Sequence, residues 1–172
     1  MGGTRIKLGL LKNNTILEKK IFDAESAKGL EANLHKLETV IDDLLEKHQI
    51  KPNMLQGIGL SFPGLVDPVA KKIISTNKKY DDGPQLHLQE WATQKWNAIF
   101  YIENDARMAA VGEWIFGAGR GSNDVVVVTI GTGIGTSAII EGRLLRGKHF
   151  QAGCLGGHFR CNTKGISAPA AT

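Results

Sequence analysis

The run Val125 to Ile130 (VVVVTI) passes straight into Gly131-Thr132-Gly133-Ile134-Gly135-Thr136, and a second apolar run, Ser137 to Ile140, follows at once. This order constrains the fold more than any other feature of the chain. Runs rich in β-branched residues favour strands. A glycine turn between two of them, with a further turn at Glu141-Gly142, gives antiparallel strands. A dinucleotide-binding turn needs a helix behind it, whose N-terminus faces the pyrophosphate. Here the spacing is G-x-G-x-G and a strand follows, so a Rossmann oxidoreductase is disfavoured. Backbone N–H groups and threonine hydroxyls in such a turn can still wrap a phosphate. A plain glycine-rich hairpin is the competing reading.

Ahead of this hairpin the chain alternates strands and helices. Thr4 to Leu11 and Thr15 to Phe22 read as strands joined by Lys12-Asn13-Asn14, where the asparagines tolerate positive φ and allow a tight turn. Leu30, Leu34, Leu37, Ile41, Leu44 and His48 recur at helical spacing, so an amphipathic helix is expected to end before Lys51-Pro52. Leu55 to Phe62 reads as a buried strand stopped by Pro63-Gly64, and Ile73-Ile74 as a short one. Leu88 to Trp96 predicts a brief helix, Ala98 to Ile102 a strand, and Ala106 to Phe116 another helix. Gly117-Ala118-Gly119-Arg120-Gly121-Ser122 is the best hinge, dividing the chain into residues 1–117 and 118–172. Such an order fits a layered α/β architecture.

Composition narrows the partners. The formal charge is +4, but the basic residues are scattered, which gives nucleic-acid binding no support. The two cysteines, Cys154 and Cys161, argue against a disulfide framework and fit a reducing compartment. No apolar run reaches membrane-spanning length, and the N-terminus lacks a signal-peptide core. A cytoplasmic setting without a membrane partner is the expectation.

Further motifs have possible chemistry. Gly2-Gly3-Thr4 lets backbone N–H groups approach a phosphate, or is simply a flexible start. Glu103-Asn104-Asp105 lies where open α/β sheets bind ligands, at a strand's carboxyl end. A carboxylate there can accept a hydroxyl proton, although Asn and Asp are also favoured helix N-caps. Ser61-Phe62-Pro63-Gly64, with Asp67-Pro68 beyond, either contacts a polyol or makes a turn. His158 and Cys161 supply only two potential metal ligands, too few for zinc.

The order of these motifs is specific. Gly-Gly-Thr, then Phe-Pro-Gly, Glu-Asn-Asp-Ala, Gly-Thr-Gly-Ile-Gly and Ala-Gly-x-x-Gly-x-His together resemble the ROK family of sugar kinases and related repressors. The densest stretch is Glu103 to Gly147, and the resemblance extends to about Gly165. It implies an actin/hexokinase-like (ribonuclease H-like) ATPase fold, its first domain complete and its second only begun. It further implies a small sugar substrate, glucokinase- or N-acetylmannosamine kinase-like, with ATP and Mg2+ as cofactors. Asp105 matches the catalytic base. Asn104, Gly64, Asn77 and His158 fall at sugar-side positions. Gly131, Thr132 and Gly133 match one phosphate loop, and Gly2, Gly3 and Thr4 the other. The family's repressors carry a DNA-binding domain ahead of this region; none is present in this sequence, so the kinase branch is the expectation.

Three departures qualify the resemblance. The family's first loop is D-x-G-G-T, and Met1 occupies the x. The family's A-G-E-x-G-H appears as Ala152 to His158 with Cys154 in place of the glutamate and the histidine one place later. The cysteine-rich zinc segment C-x-C-G-x-x-G-C has no counterpart, so a zinc site is not expected. The chain therefore reads as a truncated form with weak or no activity. It is expected to self-associate through Val125 to Ile130 and Ala138 to Leu145, because strands lacking cover recruit partners.

Overall fold

A computed structural model describes residues 1–76, 78–131 and 133–154 of the 172-residue chain. The chain divides into two compact units, Met1–Glu103 and Asn104–Thr172.

In the first unit β1 (Arg5–Lys12) pairs antiparallel with β2 (Thr15–Asp23), in register from Arg5 opposite Asp23 to Lys12 opposite Thr15. Asn13 and Asn14 make the turn at φ 50° and 63°, the positive values that a two-residue hairpin turn of this hand requires. Lys12 thus belongs to the strand. Helix α1 (Leu30–Lys47) buries Leu30, Leu34, Leu37 and Leu44 along one face, as the helical period dictates.

The start of α1 has no cap from its own sequence. Gly29 occupies the cap position, and the Asp82 carboxylate accepts hydrogen bonds from the N–H groups of Leu30 and Glu31. Two otherwise unsatisfied donors are answered, and a negative charge meets the positive end of the helix dipole. Gly29 has φ 89°, and a Cβ there would come within 2.8 Å of the carboxylate. Glycine is therefore required twice over.

β3 (Gly57–Phe62) lies beside β6 (Ile99–Asn104), while β4 (Gly64–Asp67) pairs antiparallel with β5 (Lys72–Thr76). Pro63 alone separates β3 from β4, so Gly64 opens a strand where a stop was expected. Helix α2 (Leu88–Trp96) ends at Asn97, whose left-handed φ of 53° closes it. One core joins Ile6, Leu30, Phe62, Val66, Tyr80 and Phe100. A neighbouring one joins Leu10, Leu44, Leu45, Trp96 and Ala98. The indole N–H groups of Trp91 and Trp96 donate to Glu38 and Asp42, tying α2 to α1.

The second unit opens with α3 (Asp105–Phe116) and continues through β7 (Val125–Ile130), β8 (Ile134–Ile140) and β9 (Arg143–Leu144), an antiparallel sheet in the order β7-β8-β9. α3 packs on β7 and β8. That packing draws α3 into the second unit, so the units part at Glu103/Asn104 and not at the glycine-rich segment after Gly117. β8 begins at Ile134, ahead of the expected Ser137, because Gly135 and Thr136 stay in the ladder opposite Thr129 and Val128. Ser137, Ala138 and Ile139 are buried, whereas Val126, Val128 and Ile130 of β7 are exposed.

Candidate functional site

Each unit carries its own share of the candidate residues. The second unit begins at Asn104, the last residue of β6 and the residue before α3. The Asn104 side-chain oxygen accepts hydrogen bonds from the N–H groups of Ala106 (3.0 Å) and Arg107 (3.2 Å), so this residue is the helix cap. Asp105 follows as the first residue of the helix and shares the Ala106 N–H with Asn104. Its carboxylate is exposed and accepts through Oδ1 from Ala106 N–H at 2.8 Å and from the Asn104 amide nitrogen at 3.3 Å. The Asn104 side chain therefore caps with one atom and orients Asp105 with the other.

The glycine-rich turn joins β7 to β8, with Ile130 opposite Ile134 and Gly131 N–H donating to Gly133 C=O at 2.9 Å. A Cβ at Gly131 or Gly133 would meet nothing within 4 Å, and both glycines are exposed. Gly135 is different: a Cβ there would come within 2.5 Å of Thr129 Oγ1 and 3.0 Å of the Ala106 methyl. The first turn of α3 rests on β8 at this glycine, and Asp105 is the residue next to that contact. The Thr136 hydroxyl, a candidate phosphate donor in the sequence, donates instead to Gly153 C=O at 2.6 Å.

Arg107 is a functional candidate that the sequence reading missed. It is fully buried, and its Nη2 donates to the carbonyls of Phe150 (2.7 Å) and Ala152 (3.1 Å). It thereby anchors the segment entering Ala152-Gly153-Cys154 to the helix that begins with Asp105. The available signal was a lone cation between the alanines of α3. Cys154 is half-buried, its backbone N–H donating to Gln151 C=O.

In the first unit the Gly2-Gly3-Thr4 turn is held at its carbonyls. Tyr80 OH donates to Gly2 C=O at 2.8 Å, Ser26 Oγ to Gly3 C=O at 3.0 Å, and Ala24 N–H to Thr4 C=O at 2.9 Å. Burial raises the pKa of the Tyr80 phenol, which keeps it a proton donor. Gly64 has a packing reason to lack a side chain, since a Cβ would sit 2.5 Å from Ser75 C=O. Around it, Phe62 is buried, and Asp67 accepts from the N–H groups of Val69 and Ala70 to close the turn after β4. Asn77, Thr132 and His158, with Cys161, lie outside the described residues. Among the described residues no three His, Cys, Asp or Glu side chains gather as a metal site.

The mixed α/β architecture is that of the actin/hexokinase-like fold. The structure matches a glucokinase from Streptomyces griseus in complex with glucose and AMPPNP. Its TM-score is 0.77 at 28% identity, covering 96% of this chain and 50% of that one. The ROK family model matches residues 1–168, and the chain belongs to the ROK family. It is similar to a beta-glucoside kinase of Listeria monocytogenes, 30% identical over 162 residues covering 91% of this chain and 50% of that protein. It is also similar to a xylose repressor of Bacillus spizizenii, 36% identical over 105 residues covering 61% of this chain and 27% of the repressor. The chain spans about half the length of most of these relatives.

Proposed function

We propose that this chain is the front portion of a kinase that transfers a phosphoryl group from ATP to a hydroxyl of a hexose or amino-hexose. The observation that carries the reading is the exposed Asp105 carboxylate, oriented by Asn104 and adjacent to the contact between α3 and the strand leaving the glycine turn. In the proposed reaction the sugar hydroxyl oxygen attacks the terminal phosphorus, its proton passes to Asp105, and the bond to the ADP oxygen breaks. Phosphoryl transfer asks chiefly for positioning and charge stabilisation. The exposed glycines Gly131 and Gly133 suit the phosphates, and Thr132, Gly2, Gly3 and Thr4 are assigned to the same role. Asn104, Gly64, Asn77 and His158 are assigned to the sugar side. Mg2+ accompanying ATP would be held largely by phosphate oxygens and water. A zinc site forms no part of the reading.

Spanning about half the length of its relatives, the chain is proposed to turn over feebly. Self-association through the exposed apolar face of β7 belongs to the same proposal, as do a cytoplasmic setting and the absence of a nucleic-acid partner. The expected share of Ala138 to Leu145 falls away, because Ala138 and Ile139 are buried and β8 has a strand on each side. Among the described residues no helix is long and apolar enough to cross a membrane.

The test is ADP release with a panel of hexoses, amino-hexoses and β-glucosides, run beside Asp105→Asn. Loss of a general base costs about 10²–10⁴ in rate, so the variant is expected to fall at least about a hundredfold. Equal release from both proteins overturns the assignment. The similarity to a xylose repressor supports a second reading, a non-catalytic sugar-binding module. Calorimetric sugar binding that Asp105→Asn leaves intact, without ADP release, would favour it.

A further inference from the structure

The Gly2-Gly3-Thr4 turn has a neighbour that no motif pointed to. Lys79 is partly buried, and its side chain lies across Gly3 so closely that a Cβ there would come within 2.6 Å of Nζ and 2.7 Å of Cδ and Cε. The absent side chain of Gly3 makes room for the lysine. Lys79 has no hydrogen-bond or ion-pair partner among the described residues. The two carboxylates that follow it are engaged elsewhere: Asp81 accepts the Thr76 hydroxyl at 2.7 Å, and Asp82 caps α1.

The backbone around Lys79 is held in an uncommon shape. Lys78 and Tyr80 both have positive φ, 56° and 60°, values that bulky residues keep only where their surroundings enforce them. The surroundings do so at Tyr80. Its N–H donates to Ser26 C=O at 3.1 Å, its hydroxyl to Gly2 C=O, and its ring packs on Phe62 at 5.9 Å between centroids. The residue that fixes Lys79 thus also fixes the turn beneath it.

The turn's donors follow from the same contacts. In a trans peptide the N–H points opposite to the C=O, and no peptide bond here is cis. With Gly2 C=O held by Tyr80 and Gly3 C=O by Ser26, the N–H groups of Gly3 and Thr4 face away from those anchors. Neither donates to any described residue. Successive free backbone N–H groups beside a cation make an anion-binding concavity.

We infer that Lys79 joins the Gly3 and Thr4 N–H groups in binding a linear oligophosphate, either the tail of a nucleoside triphosphate or an inorganic chain. This rests on the reading of Gly2-Gly3-Thr4 as a phosphate turn and adds the charged group that the turn lacks.

The test uses the ¹⁵N-labelled chain titrated with ATP and, separately, with inorganic tripolyphosphate. Saturable shifts at the Gly3 and Thr4 amides are expected with at least one of them; the tighter ligand identifies the source. Removing one charge near a phosphate is expected to weaken binding about fivefold or more in Lys79→Met at low salt. Lys78→Met, which removes the same charge one residue away, should change it less than twofold. Gly3→Ala keeps the lysine but displaces it, and should weaken binding with little change in melting temperature. Equal effects at Lys78 and Lys79, or no shift at Gly3 and Thr4 with either ligand, overturn the inference. A chain that binds oligophosphate here but phosphorylates no sugar sinks the kinase reading and leaves this one standing. A chain that phosphorylates sugar while Lys79→Met binds normally does the reverse.

Discussion

β6 and β7 are both six-residue strands rich in β-branched or aromatic residues, yet Phe100 in β6 is 1% exposed and Val126 in β7 is 71% exposed. The difference lies in what surrounds each strand. β6 has β3 beside it, and Phe100 packs in a core to which α1, α2 and β5 all contribute. β7 is an edge of its sheet, with α3 on one side and Val126, Val128 and Ile130 open on the other. Strand propensity makes a strand; burial needs a second layer. The first unit has that layer within its own residues, and the second has it on one face only.

The largest expected effect tests this contrast directly. Phe100→Ala should cost about 3–5 kcal/mol in urea unfolding, the range for deleting a buried aromatic ring. Val126→Ala should stay within about 0.5 kcal/mol, as surface changes do. Similar losses at the two sites would break the comparison. Next in size is association. Light scattering should show an apparent mass that rises with concentration, and Val128→Lys should return it towards the monomer, because a charge on an edge strand blocks strand addition. A concentration-independent monomer in the unaltered chain removes the proposed role for β7.

The smallest effect sharpens the contrast from the first unit's side. There Glu18 of β2 meets Lys47, His48 and Lys20. Hydrogen bonds from Lys47 first, then His48 and Lys20, lower its carboxyl pKa from 4.5 to about 2. A depressed carboxyl pKa stabilises the folded state fully above the unfolded value, and the contribution fades as pH falls through the folded one. The stability difference between the parent chain and Glu18→Gln should therefore be fully developed at about pH 5 and shrink between pH 4.5 and 2. Salt should shrink it at every pH, since the cluster is at the surface. A difference flat across that window would remove Glu18 from the account.

Much of the candidate site was legible because its signals are local. Asn104 and Asp105 stand at a strand-to-helix junction that sequence periodicity locates, and the glycine turn follows from two flanking apolar runs. Which of the two polar residues would cap the helix was not legible, because either side chain is chemically able to do so. The roles of Lys79 and Arg107 were equally hidden. One lies across a glycine far away in sequence, and the other donates to carbonyls more than forty residues on. Neither arrangement leaves a periodic trace.

By itself the sequence determined the elements whose causes lie within a few residues. Asn13-Asn14 sets a hairpin because asparagine tolerates positive φ, and the leucine period sets α1 because every third or fourth residue shares a face. The VVVVTI run sets β7 through its β-branched residues. Only the tertiary structure decided that Asp82 would cap α1 from 51 residues away, that Tyr80 and Ser26 would hold the carbonyls of the first glycine turn, and that one face of β7 would stay open. Those outcomes depend on which distant groups arrive with unsatisfied donors, acceptors or apolar surface, and packing settles that only once the chain has closed on itself.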